Sequence, residues 1–171
     1  AGSVDVQRLG CFAIRNVALG VSTVQQRMVA AGGSAAVVEA LRTHASDGAL
    51  AFEALAALAN MCGGDAGCQA AVLGAGAAEA VVTAMKVHGD ASKLQAQGCG
   101  ALGNLAGGDA DGQKVVIDAG GAAAAVAAIS AWPKDEGVQQ GGKAALANMA
   151  YGQDELKQAV MGAGAEAAWL D

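Results

Sequence analysis

Aromatic residues make up only 3% of this 171-residue chain, and proline occurs once, at Pro133. With so few rings, packed surfaces must be close backbone approaches filled by small side chains, a composition that favours helix on helix. One proline beside 26 glycines excludes collagen-like and low-complexity chains, which need far more proline. Cations are scarce too: ten Lys and Arg against sixteen carboxylates give a net charge of −6. Nonspecific nucleic-acid binding needs clustered cations to displace counterions from phosphate, so no nucleic-acid partner is expected. No uncharged stretch exceeds the 15 residues of 94–108 or 119–133, short of the ~20 apolar residues of a spanning helix. No membrane partner is expected either. The opening AGSVDVQRLG lacks a basic start followed by an apolar core, so no signal peptide is read and an intracellular, cytoplasmic location is the expectation.

Signatures of chemistry are also missing. The glycine-rich stretches GVSTV, GGDAG and GGDADG contain no GxxxxGK[ST] and follow no strand pattern, so they read as inter-helix turns rather than phosphate loops. Asp65, Asp109 and Asp111 lack the DxDxDG spacing and later Glu of a calcium loop. No CxxC occurs among Cys11, Cys62, Cys68 and Cys99. Cys11 and Cys99 sit at equivalent repeat positions and read as small buried thiols. Cys62 and Cys68 are close enough in sequence to meet across a short loop, but a reducing compartment disfavours a disulfide. No Ser/His/Asp or Cys/His order matches a catalytic signature. The expectation is a protein that is not an enzyme and uses no cofactor or metal.

What the chain does have is a core, since 54% of its residues are hydrophobic, and a repeat. Asn16, Asn60, Asn104 and Asn148 lie 44 residues apart and are the only asparagines in the sequence. In the same register run Gly20, Gly64, Gly108 and Gly152; Ala31, Ala75, Ala119 and Ala163; and Gly32, Gly76, Gly120 and Gly164. Ala13, Ala57, Ala101 and Ala145 are each followed by Ile14, Leu58, Leu102 or Leu146. A fixed period of this length signals a solenoid.

Punctuation divides each unit into three helices. The longest is predicted to start near Val6, Leu50, Leu94 and Val138, to pass through the Asn, and to end at the Gly four residues on. A short apolar helix closes on the Ala-Gly pair. A third carries Val38, Val82 and Val126, then Leu41, Met85 and Ile129, on its core side. It ends at His44, His88 and Trp132, where an imidazole suits the helix dipole. Two histidines one packed-helix spacing apart, roughly 8–10 Å, cannot share a metal ion.

The segments LGCFAIRNVA, FEALAALANMC, QGCGALGNLA and GGKAALANMA, each followed by a short helix ending in Ala-Gly, resemble the armadillo repeat from about residue 6 to 170. The resemblance implies an all-α solenoid, a right-handed superhelix of three-helix repeats with the 44-residue period. Residues 1–171 form one array of about four repeats that starts and stops out of register, without a visible polar cap at either end. Such an array is expected to continue into further repeats of a parent chain or to be covered by a partner.

In armadillo proteins the long helices line a concave groove whose Asn side chains hold an extended peptide by its main chain. The resemblance therefore implicates Asn16, Asn60, Asn104 and Asn148, with Phe12, Arg8, Arg15 and Gln97 around them, in binding a protein or peptide partner. An Asn amide both donates and accepts; the alternative is that each Asn satisfies a carbonyl or caps its own helix. Where the nuclear-import subfamily has Trp one turn before the Asn, this chain has Phe12, Ala56, Gly100 and Ala144, so slots for basic side chains are not implied. Nor is the positive groove of a beta-catenin-like receptor, because the turns before the Asn offer Arg8 and Arg15, then Phe52, Glu53, Gln95, Gln97, Gln139 and Gln140. Two functions follow: a scaffold binding an extended segment along the Asn-lined groove, or an architectural element packing through its ends and convex face.

Overall fold

The computed structural model of the protein describes residues 3–63 and 66–170; Gly64 of the glycine column and Asp65 of the acidic turn lie outside them. The described residues form eleven α-helices and one 3-10 turn, without a strand. Four long helices carry the asparagines: α1 (Val4–Val17), α4 (Gly48–Met61), α7 (Ser92–Leu105) and α10 (Glu136–Ala150). Each is followed by a nine-residue helix, respectively α2 (Ser22–Ala30), α5 (Ala66–Gly74), α8 (Ala110–Asp118) and α11 (Asp154–Gly162). Eleven-residue helices α3 (Gly33–Thr43), α6 (Ala77–Val87) and α9 (Gly121–Ala131) complete three units, and the 3-10 turn Ala167–Trp169 stands where a fourth would begin. Like packs on like: α1, α4, α7 and α10 form one layer in chain order, α3, α6 and α9 a second, and the nine-residue helices a third.

The seams of these layers explain the composition. Leu50, Leu94 and Val138; Ala57, Ala101 and Ala145; Leu58, Leu102 and Leu146; and Met61, Leu105 and Met149 are each no more than 3% exposed. Each buried Leu, Val or Met contributes about 1.5–3 kcal/mol of transfer free energy, and the alanines between them let the helices approach. Val38, Val82, Leu41, Met85 and Ile129 are buried as their spacing predicts, while Val126 is half-buried.

The Ala-Gly pairs do what the pattern requires. Gly32, Gly76, Gly120 and Gly164 adopt φ of 81°, 82°, 88° and 102°, a left-handed conformation that costs glycine nothing. The chain turns there by 66° between α5 and α6 and by 64° between α8 and α9. The second glycine column behaves differently from expectation. The long helices end at Val17, Met61, Leu105 and Ala150, shortly before that column, in which Gly20 and Gly152 are left-handed (φ 75° and 85°) and Gly108 is not. Side-chain amides, described below, finish these helices instead. They also begin two residues early: Asp47 and Asp135 cap α4 and α10, their carboxylates accepting from Leu50 N (2.7 Å) and Val138 N (3.1 Å), and α1 and α7 begin as early without a side-chain cap. The Val138 N–H, helped by the Ser92 side chain, holds the Asp135 carboxyl below its ordinary range. A depressed pKa stabilises above the unfolded value, so this cap is lost as pH falls through the acid range. Asp109, weighed above as a calcium ligand, caps α8 through Gly112 N at 2.9 Å.

All four cysteines are buried and none is joined in a disulfide. Desolvation pushes the thiols of Cys11, Cys62 and Cys99 up to about 11, 12 and 12, so they carry almost no thiolate at neutral pH. Iodoacetamide at pH 8 is expected to leave all three unmodified in the folded protein and to alkylate them after urea unfolding. Rapid labelling of native Cys62 or Cys99, read by mass spectrometry, would contradict this packing.

Glycines inside α7 separate into two kinds. A Cβ on Gly98 would meet Met85 Cγ at 2.5 Å, whereas one on Gly100 would meet nothing within 4 Å. Gly100→Ala is therefore expected to stabilise by about 0.5–1 kcal/mol. Gly98→Ala should be neutral or destabilising, because Met85 must move. Thermal melts of the two variants check the contrast, and equal shifts in the same direction would refute it.

The two edges differ. Val6, Leu9 and Val17 of α1 are 63%, 61% and 55% exposed, although the counterparts of Val6 and Val17 in later repeats are buried. At the other edge Lys143 occupies the position of buried Cys11, Leu55 and Cys99, and Lys157 that of buried Gln25, Gln69 and Gln113. Both lysines are exposed.

Candidate functional site

On the long-helix layer one stripe of each helix stays in contact with solvent. In α7 it comprises Lys93, Ala96, Gln97, Gly100 and Asn104, and the equivalent positions of α1 are Asp5, Arg8, Leu9, Phe12 and Asn16. The spacing of three and four residues is that of one helix face. Arg8, Phe12, Gln97 and the four asparagines fall in this register, whose α4 member Ala56 is buried at 6% exposure. Arg15 does not lie on this stripe; it sits at the α1–α4 seam, where Nη1 pairs with Glu53 Oε2 at 2.8 Å and the guanidinium lies 5.4 Å from the Phe12 ring centroid. Ala59 and Gly103, each one residue before an Asn, are buried in the seams, and a Cβ on Gly103 would stand 3.4 Å from Ala145 Cα.

The asparagines form a ladder between repeats. Asn60 Nδ2 donates to Arg15 O at 2.8 Å, Asn104 Nδ2 to Ala59 O at 3.0 Å, and Asn148 Nδ2 to Gly103 O at 3.0 Å. Each acceptor is the residue before the preceding Asn, among the last carbonyls of a helix, which have no intrahelical partner. Asn16 instead donates to Phe12 O of its own helix at 2.8 Å. The donor half of each amide is thus engaged in the fold, while no protein donor among the described residues reaches the Oδ1 half.

A second amide column meets the first from the other side, and the sequence reading overlooked it. Gln25 Nε2 donates to Ala18 O and Asn60 O (2.9 and 2.7 Å), Gln69 Nε2 to Asn104 O and Leu105 O (2.9 and 2.7 Å), and Gln113 Nε2 to Asn148 O and Tyr151 O (2.8 and 3.2 Å). These glutamines are 2%, 6% and 4% exposed. Their 44-residue spacing was legible, as was the change to Lys157 in the fourth unit. Gln95 and Gln139, placed near the groove above, turn away from it: they donate to Met85 O and His88 O, and to Ile129 O and Trp132 O, at 2.8–3.1 Å. The helix-end residues also tie repeats together, with His88 Nε2 2.9 Å from Ala45 O and Trp132 Nε1 donating to Gly89 O at 3.2 Å.

Two depressions open along the layer. One, of about 340 Å3, is bordered by Asn104, Asn148, Gln69 and the glycines at 107 and 108. The other, of about 390 Å3, is bordered by Arg8, Leu9, Phe12, Ala49, Phe52 and Glu53. The layer is also less acidic than the rest of the chain. Its helices carry Arg8, Arg15, Lys93 and Lys143 against Asp5, Glu53 and Glu136, a balance of +1, whereas the whole chain stands at −6. Among the described residues no group of three His, Cys, Asp or Glu is placed to hold a metal ion.

No family model matches the chain, and no curated protein matches it. Among solved structures it is similar to an engineered protein from a structural-genomics programme, at 34% identity and a TM-score of 0.86 over 96% of this chain and 65% of that one. It is also similar to a designed armadillo repeat protein in complex with the peptide (KR)4, at 23% identity and a TM-score of 0.81. A third neighbour is a set of computationally designed armadillo repeat proteins for modular peptide recognition, at 24% identity and a TM-score of 0.78. Each of these last two comparisons covers 90% of this chain and 62% of the other. The chain therefore spans somewhat less than two thirds of the length of the structures it matches. Its fold is the armadillo-type repeat, an all-α solenoid.

Proposed function

We propose that this armadillo-type array is a non-catalytic protein-interaction scaffold that holds an extended peptide segment across the stripe of Asn16, Asn60, Asn104 and Asn148. The observation that carries the reading is the half-engaged amide. Each Nδ2 of the last three is spent on a neighbouring helix end, which fixes the side chain and leaves Oδ1 as an acceptor for a main-chain N–H. Preorganised acceptors at repeat spacing suit a ligand read by its backbone, because little rotamer freedom is lost on binding. Arg8, Phe12 and Gln97 on the same stripe, and Arg15 at its border, would supply side-chain contacts. Designed relatives of the same fold are described as binding peptides, which supports the reading by analogy of fold. The buried thiols fit a location inside the cell.

The test is to select a binder from a random decapeptide library and titrate it, fluorescently labelled, against wild-type protein and Asn60→Ala/Asn104→Ala. Loss of about five-fold or more in affinity is expected, from two hydrogen bonds at about 0.5–1.5 kcal/mol each. Unchanged affinity in a folded double variant would leave the asparagines structural and favour the architectural role.

A further inference from the structure

The only two phenylalanines of the chain, Phe12 and Phe52, border the same 390 Å3 depression at the α1–α4 seam. From this juxtaposition we propose that the depression is the specificity pocket of the groove, taking one bulky apolar side chain of an extended segment with an acidic residue two positions along. The inference rests on the groove reading above and adds the chemical class of its ligand.

Four observations support that occupant. First, the pocket is apolar yet open: Leu9 is 61% and Phe12 46% exposed, an arrangement that leaves ring and aliphatic surface in water until something covers it. Second, its wall is held in place. Arg15 lies over one face of the Phe12 ring and is itself fixed by Glu53, so the ring is oriented before a ligand arrives. Third, it is unique in the layer. The counterparts of Phe12 are Ala56, Gly100 and Ala144, and those of Phe52 in the later repeats are Ala96 and Gln140, none of which can form a ring-lined wall. Fourth, the charge is complementary to a carboxylate. Arg8 at the rim has only an exposed partner three residues away, Asp5 at 3.0 Å, a pairing weak enough to exchange, whereas Glu53 is already neutralised by Arg15.

Position agrees as well. Phe12 lies four residues before Asn16 on α1, about 6 Å along the helix axis. A strand whose main chain meets Asn16 and Asn60 can therefore send one side chain toward the pocket and the side chain two residues along to the same side, toward Arg8 at the rim. Aromatic and Arg side chains of this kind are those that dominate interface energies.

Three fluorescein-labelled decapeptides of Ser and Gly, differing only in a central Phe-Gly-Glu, Ala-Gly-Glu or Phe-Gly-Lys segment (Phe-Glu, Ala-Glu and Phe-Lys below), test the inference by anisotropy. Phe-Glu is expected to bind about ten-fold tighter than Ala-Glu, as burying one large apolar side chain implies, and tighter than Phe-Lys. Phe52→Ala should erase the Phe preference, and Arg8→Glu should reverse the Glu preference. Leu9→Ser, at an exposed position that cannot unfold the protein, should reduce Phe-Glu binding and guards against a folding defect in the Phe52 variant. Equal binding of Phe-Glu and Ala-Glu, both weakened by Asn60→Ala/Asn104→Ala, would overturn the pocket while sparing the groove. Failure of all three peptides would overturn both. Light scattering completes the set: a wild-type dimer converted to monomer by Leu9→Ser would assign the surface to a second copy of the chain and overturn the proposal.

Discussion

Gln69→Leu is expected to destabilise the protein by about 2–3 kcal/mol, and Gln113→Leu by a similar amount. Each glutamine is buried, and its Nε2 serves two terminal carbonyls of the following long helix. Leucine preserves most of the volume but leaves those carbonyls without a side-chain donor, at about 1–3 kcal/mol for buried groups stripped of a partner. For a chain of this size each kcal/mol shifts the melting temperature by about 2–4 °C, so a fall of roughly 4–12 °C should be read by calorimetry. Lys157→Leu supplies the internal control. It changes the equivalent position of the last unit, which is exposed, and its effect should stay within about 0.5 kcal/mol. A Gln69 variant no less stable than the Lys157 variant would mean that water satisfies the same carbonyls and that the column is not a cap.

The Asn60→Ala/Asn104→Ala variant should show two separable effects. Its melting temperature is expected to fall, because both residues donate between repeats, to Arg15 O and Ala59 O. Two such bonds at about 0.5–1.5 kcal/mol each are offset in part by alanine's better helix propensity, about 0.5 kcal/mol per site, for a net loss of up to about 2 kcal/mol. Helix propensity by itself would favour the alanines, so any net loss reports the inter-repeat bonds. At a temperature well below the melt, peptide affinity should still fall about five-fold or more if the Oδ1 atoms meet a ligand main chain. Melting temperature and affinity must therefore be measured on the same sample. A stability loss without an affinity loss would sink the groove reading.

Much of this architecture was legible from spacing. Four asparagines at 44-residue intervals placed one residue type on one face of one helix per unit, and the Ala-Gly pairs marked bends that only a left-handed glycine makes without strain. Helix ends were legible where backbone conformation sets them, as at Gly32, Gly76 and Gly120. They were misplaced where side chains set them: Asp47 and Asp135 start two long helices before the first large apolar residue, and amides from neighbouring repeats finish them before the second glycine column. Gln95 and Gln139 were assigned to the groove because helix periodicity alone does not say which polar residue finds a buried carbonyl.

Sequence periodicity was sufficient for the all-α solenoid because a repeated apolar face can be buried only by stacking copies of the same unit, whatever the details of each contact. The tertiary structure alone could decide what each polar side chain does. An amide's donor and acceptor are chemically alike from one repeat to the next, and which of them is spent depends on where a neighbour's helix end comes to rest. The same holds for the pocket. Phe12 and Phe52 are 40 residues apart in the chain and occupy different positions of the repeat, so no column unites them; the packing of α1 against α4 does, by setting one ring a turn away from the other across a single seam.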